Sequence, residues 1–87
     1  IKTSPNPFNP VTNISYRLLE TGHISINIYD MLGNKVRTLV SQTQNTGTKS
    51  YQWNATNDLG QSVSAGMYIY TIQAGDFIQS KKMVLLK

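Results

Sequence analysis

Strict alternation of apolar and polar side chains constrains this chain most. Ile14, Tyr16 and Leu18 alternate with Asn13, Ser15 and Arg17, and Ile24, Ile26 and Ile28 alternate with His23, Ser25 and Asn27. A strand sends successive side chains to opposite faces, so each segment predicts a β-strand with one face buried and the other wet. No segment carries a sustained helical period, so helices are not expected to contribute to the core.

Turn formers divide the remainder into further short strands. Leu19–Gly22 reads as a short connection, and Asp30–Lys35 as a turn whose Gly33-Asn34 pair tolerates positive φ. A third strand is expected from Lys35 to about Val40, with Val36, Thr38 and Val40 on one side and Leu39 on the other. Residues 41–48 carry no apolar side chain and read as a loop or wide turn outside the core. In the short strand that follows, Tyr51 and Trp53 share a face and are the expected centre of the core. A polar connection over 54–64, with Asn57, Asp58 and Gly60 as turn formers, leads to Ala65–Ile72, which is apolar on both faces and predicts a central strand. Ala74-Gly75-Asp76 predicts a tight hairpin into a last strand, Phe77–Leu86, whose outward lysines suit a sheet edge.

The pattern predicts an all-β fold: an immunoglobulin- or fibronectin III-like β-sandwich of six to seven antiparallel strands. A central Trp is present but the inter-sheet cysteine pair of immunoglobulins is not. With 87 residues and no cysteine, stability must come from one apolar core, without disulfides or thiolate-bound metal. The chain begins at Ile1 and shows no charged region followed by an apolar one, so it reads as a single domain, residues 1–87, cut from a larger secreted protein. Residues 1–10 would be a lead-in segment and 11–87 the sandwich. The longest apolar run, Met83–Leu86, is far short of the roughly 20 residues of a membrane-spanning helix, and no stable membrane insertion is expected.

Catalytic chemistry finds little to work with. The chain has one His, His23, and four carboxylates, Glu20, Asp30, Asp58 and Asp76, each in a different turn. No nucleophile elbow, zinc-protease motif or phosphate-binding glycine loop is present, so no enzymatic role and no cofactor are expected. The run Asn54–Gly60 alternates oxygen-bearing side chains in the manner of a calcium loop, but it holds one carboxylate, and turn formation explains its Asx residues better. The net charge of +4 is spread over most of the chain, which describes a solvated surface; only Lys81, Lys82 and Lys87 cluster. The aromatics lie on the apolar sides of their strands, so no nucleic-acid partner is expected. Tyr68 and Tyr70, two residues apart, keep open an exposed sugar platform. That alternative would make the chain an accessory carbohydrate-binding or spacer module of a polysaccharide-degrading enzyme.

A family resemblance emerges from the order of short motifs. Pro5-Asn6-Pro7-Phe8-Asn9-Pro10 is followed by the strand with Ile14 and Tyr16, and then by Ile28–Val36. After these come Trp53-Asn54, Gly60–Tyr68 and Lys82–Leu86. This order resembles the C-terminal sorting domains of the type IX (Por) secretion system and is similar to the Ig-like domain of flagellar hook-capping proteins. The resemblance implies a non-catalytic signal: an upstream cargo is exported to the periplasm, and the outer-membrane translocon recognises the folded domain. A sortase-like peptidase then removes it, leaving the cargo at the cell surface, often on anionic lipopolysaccharide, or outside the cell.

Carried onto this chain, the family motifs are Pro5, Asn6, Pro7 and Phe8, with Gly66 and Tyr68. The expected recognition segment is Lys81, Lys82, Met83, Val84, Leu85, Leu86 and Lys87. Phe8, Gly66 and Tyr68 also have structural readings: Phe8 as a core plug, Gly66 as a site of close backbone approach, and Tyr68 as a packing residue. Recognition is assigned to the terminal strand, because an exposed edge offers main-chain groups that a partner strand extends. Asn54 stands where the family often has Asp, which weakens the calcium reading further.

Overall fold

The computed structural model describes residues 1–86, which form seven strands and no helix: β1 (Lys2–Ser4), β2 (Thr12–Leu18), β3 (Gly22–Asp30), β4 (Lys35–Gln44), β5 (Gly47–Trp53), β6 (Gly66–Ala74) and β7 (Phe77–Leu85). They build two antiparallel sheets, β1-β2-β5 and β4-β3-β6-β7, packed as a sandwich. The expected fold class is therefore the one observed.

The period-2 reading of β2 and β3 holds residue by residue, and β6, expected as a central strand, lies between β3 and β7. Ile14, Tyr16 and Leu18 from β2, Ile24, Ile26 and Ile28 from β3, and Tyr68, Tyr70 and Ile72 from β6 are all buried. Trp53 at the end of β5 is fully enclosed, with the Phe8 ring 5.7 Å away and the Tyr68 ring edge-on at 5.3 Å. Such tilted and edge-to-face contacts add to the area that aromatic burial removes from water. The Trp53 indole N–H, which would otherwise be a stranded donor, reaches the Thr56 carbonyl at 2.8 Å.

Two expectations need correction. Residues 41–48 are not a loop: Ser41–Gln44 complete β4, Gly47 and Thr48 open β5, and only Asn45-Thr46 lies between these two strands, carrying the chain from one sheet to the other. Gln44 is buried despite its polarity, because its amide is satisfied twice: Oε1 accepts from the Tyr16 hydroxyl at 2.5 Å and Nε2 donates to the Tyr51 hydroxyl at 2.5 Å. Residues 1–10 are likewise more than a lead-in, since Lys2–Ser4 pair with Asn13–Ser15 as the margin of the smaller sheet.

Turn chemistry follows the sequence closely. Asp30 Oδ1 accepts from the main-chain N–H of Leu32 and Asn34, and Gly33 takes φ +87, closing the β3–β4 turn. Gly75 at φ +60 closes the β6–β7 hairpin.

Candidate functional site

β7 lies at the margin of the four-stranded sheet, paired with β6 from Gly66↔Leu85 to Ala74↔Phe77 without a register shift. Burial changes along the strand as well as across it. Met83 and Leu85 point into the core and are fully buried, whereas Lys81, on the same face nearer the hairpin, and Lys82 and Leu86 on the other face are exposed, and Val84 is half-buried. Of the expected recognition segment, then, Met83 and Leu85 hold the strand down and offer no side chain to a partner. Lys87 lies outside the described residues.

The outer margin of this strand is not wholly free. The segment from Pro5 to Phe8 leaves β1, crosses to the other sheet and lies along the C-terminal half of β7. Phe8 N–H donates to the Val84 carbonyl at 2.9 Å, and Leu86 N–H donates to the Phe8 carbonyl at 2.7 Å. Asn6 extends the ladder with its side chain: Nδ2 donates to the Lys82 carbonyl at 3.2 Å, and Oδ1 accepts from Val84 N–H at 3.0 Å. The two ends of the chain are thus clamped together, and the Phe8 ring plugs the core against Trp53. The sequence reading missed this clamp. One signal for it was present: Pro5 and Pro7 have no N–H, so an Asn between them is the residue able to donate to and accept from a neighbouring strand.

The other family-motif residues are structural. Gly66 has nothing within 4 Å of where a Cβ would stand, so close backbone approach does not explain it; its φ of +145 does. Tyr68 packs on Trp53 and donates its hydroxyl to the Ser64 carbonyl at 2.5 Å. Tyr70 is fully buried, and its hydroxyl pairs with that of Thr3 across the two sheets. With both rings enclosed, a sugar platform built on Tyr68 and Tyr70 is ruled out.

Burial also sets the phenol acidities. Removal from water raises the pKa of Tyr16 to about 12, helped by nearby Tyr51 and opposed by its hydrogen bond to Gln44. Tyr68 and Tyr70 are shifted upward as well, chiefly by burial.

The side-chain oxygens of Asn54, Asn57 and Asp58 serve the turn and its docking. Asn57 Oδ1 accepts from Leu59 and Gln61 N–H, both at 3.0 Å, and Asn54 Oδ1 accepts from the Thr56 hydroxyl. Asp58 Oδ1 accepts from Thr38 N–H at 3.0 Å while its own N–H donates to the Val36 carbonyl, docking the loop on the margin of β4. Among the described residues no group of three or more His, Cys, Asp or Glu could hold a metal ion. At the opposite end of the sandwich, a cleft of about 520 Å³ lies between the β2–β3 corner and the β6–β7 hairpin, with Leu19 and Phe77 exposed at its rim.

Similar folds occur in solved structures. The dimeric latent PorU of Porphyromonas gingivalis matches with a TM-score of 0.75 at 20% identity, over 98% of this chain and 9% of that one. PorZ of the same organism, a bacterial surface component of the type-IX secretion system, matches with a TM-score of 0.65 at 23% identity, over 99% and 11%. FlgD of Xanthomonas campestris, the flagellar hook-capping protein, matches with a TM-score of 0.65 at 22% identity, over 86% and 55%. The chain therefore spans about a tenth of the first two proteins, and at these identities the likeness is one of fold. No curated protein matches in sequence. The family of secretion system C-terminal sorting domains matches residues 2–86. The chain belongs to this family of type IX sorting signals, which is not a catalytic family and marks proteins for export to the cell surface or beyond.

Proposed function

We propose that residues 1–87 act as a folded address for an upstream cargo, read by the outer-membrane translocon after passage into the periplasm and then removed by a sortase-like peptidase. The observation that carries this reading is the placement of β7: the closing strand of a sorting-family sandwich sits at a sheet margin with Lys81 and Lys82 in solvent. Exposed cations beside a strand edge steer an acidic receptor surface and set its register. Lys81 and Lys82 would then be read directly, while Met83 and Leu85 act by keeping the strand seated in the core.

A reporter fused ahead of residues 1–87, expressed in a bacterium with the type IX system, tests the proposal. Surface delivery should require the domain and fall in a Lys81→Glu, Lys82→Glu variant; Lys81 also donates from Nζ to the Ile1 carbonyl at 3.1 Å, so the variant is melted alongside the parent to check its folding. Equal delivery of the reporter with and without residues 1–87 would refute it.

A further inference from the structure

We propose that the receptor engages this domain by adding an extended strand to the stretch of β7 from Phe77 to Lys82, rather than at the last residues of the chain. This rests on the sorting reading above. The hydrogen bonds of the clamp reveal which main-chain groups of β7 face away from β6. Val84 points both its N–H and its C=O outward, to Asn6 and Phe8; Leu86 points its N–H outward, and Lys82 its C=O. Outward and inward groups alternate along a regular antiparallel strand, and β7 pairs with β6 without a shift over its whole length. Ile78 and Ser80 must therefore present their N–H and C=O groups outward, as must Lys82 its N–H. Among the described residues no strand pairs with them.

The clamp thus closes the C-terminal half of the edge and leaves the N-terminal half open. The open window is bounded by the Lys82 carbonyl, held by Asn6, and by the Gly75-Asp76 turn. Its ligand is specified by its own chemistry. Paired N–H and C=O groups at a strand's spacing are satisfied by another extended main chain, in the manner of β-augmentation. The side chains flanking the window set the rest. Phe77 and Ile78 are 55% and 61% exposed at one end, and Lys81 and Lys82 are exposed at the other. The fitting partner is a short extended segment with an apolar side chain level with Ile78 and a carboxylate level with Lys82.

The test uses two variants in the reporter fusion, each also purified and melted to check folding. Ser80→Pro removes one outward N–H while sparing every main-chain bond to β6, at the loss of the exposed hydroxyl pair of Ser80 and Thr71 at 2.9 Å, and stands where a sheet margin tolerates proline. Ile78→Lys keeps the backbone and puts a charge where the apolar contact is expected. Each should lower surface delivery about two- to tenfold, since a lost main-chain hydrogen bond or a mismatched edge contact is worth roughly that factor in affinity. If Ser80→Pro does not fold, Ile78→Lys decides alone, since its exposed site leaves the core untouched. Folded variants delivered as well as the parent would overturn the edge proposal while leaving the sorting reading intact. A parent fusion delivered no better than the bare reporter would overturn both.

Discussion

Replacing Asn6 with alanine tests whether the two ends of the chain are truly fastened. The substitution removes two hydrogen bonds, Nδ2 to the Lys82 carbonyl at 3.2 Å and Val84 N–H to Oδ1 at 3.0 Å. Both lie near solvent, so water partly replaces them, and the net loss is about 1–2 kcal/mol in total. Phe8 keeps its own two main-chain bonds to β7, so the segment should loosen rather than detach. For a domain of this size such a loss lowers the melting temperature by about 4–8 °C per kcal/mol. Amide hydrogen exchange adds a local readout: Val84 N–H should exchange faster by more than the global loss predicts, because its partner is the group removed. Asn6→Asp refines the test. It keeps an acceptor for Val84 N–H but sets a carboxylate oxygen against the Lys82 carbonyl, so it should destabilise at least as much as alanine. If Asn6→Ala melts within about 1 °C of the parent and Val84 exchanges at the parental rate, the clamp contributes nothing and the reasoning fails.

Three further outcomes follow from the same geometry. Phe8→Ala should cost about 3–5 kcal/mol by circular dichroism melting, because it empties a fully buried site against Trp53. The raised pKa of Tyr16 means the folded state holds its proton to about 12, while the unfolded chain releases it near 10. Its contribution to stability is therefore complete below pH 10 and lost between 10 and 12, on the order of 2–3 kcal/mol, and Tyr16→Phe should flatten that part of the parental pH profile. Asn57→Ala should cost about 1–2 kcal/mol through its two turn hydrogen bonds, whereas a calcium chelator should leave the parental melting temperature unchanged, since the loop holds a single carboxylate and Asn57 Oδ1 and Asp58 Oδ1 already accept main-chain N–H groups.

Which parts of this structure were legible depends on how far apart the interacting residues lie in the chain. β2 and β3 could be read because burial of Ile14 or Ile26 is a property of one strand's own alternation, and the interior place of β6 because both its faces are apolar. The Asp30 and Asn57 turns were readable for the same reason, as their side chains bond the main chain two to four residues on. Gln44 was not. Polarity placed it outside, and only its two tyrosine partners, 28 and 7 residues away, make its burial tolerable. The clamp was further still from view, since Asn6 and Val84 stand 78 residues apart and the Asn between two prolines marks a segment ready to pair without saying with what. Tyr68 and Tyr70 show the opposite failing: with both faces of β6 apolar, the sequence did not say which one turns inward, and the spacing that suggested a sugar platform is that of the buried face they share with Ile72.

The management of sheet margins ties the fold to its proposed use. An open edge invites pairing with any passing strand, so a domain that must travel folded has reason to cover what it does not use. Both margins of the larger sheet are covered in part: Asp58 docks on β4 at Val36 and Thr38, and Asn6 and Phe8 dock on β7 from Lys82 onward. What remains open on β7 is short and carries two exposed lysines beside it. A second copy presents the same positive charges, so like-charge repulsion disfavours pairing around Lys81 and Lys82, whereas an acidic receptor strand meets only attraction there. Charge reversal makes the argument testable. Lys81→Glu with Lys82→Glu lifts that repulsion between an altered and a parental copy, so their mixture should associate more, by sedimentation, than the parental domain with itself. No gain on mixing would show that the lysines do not guard the edge.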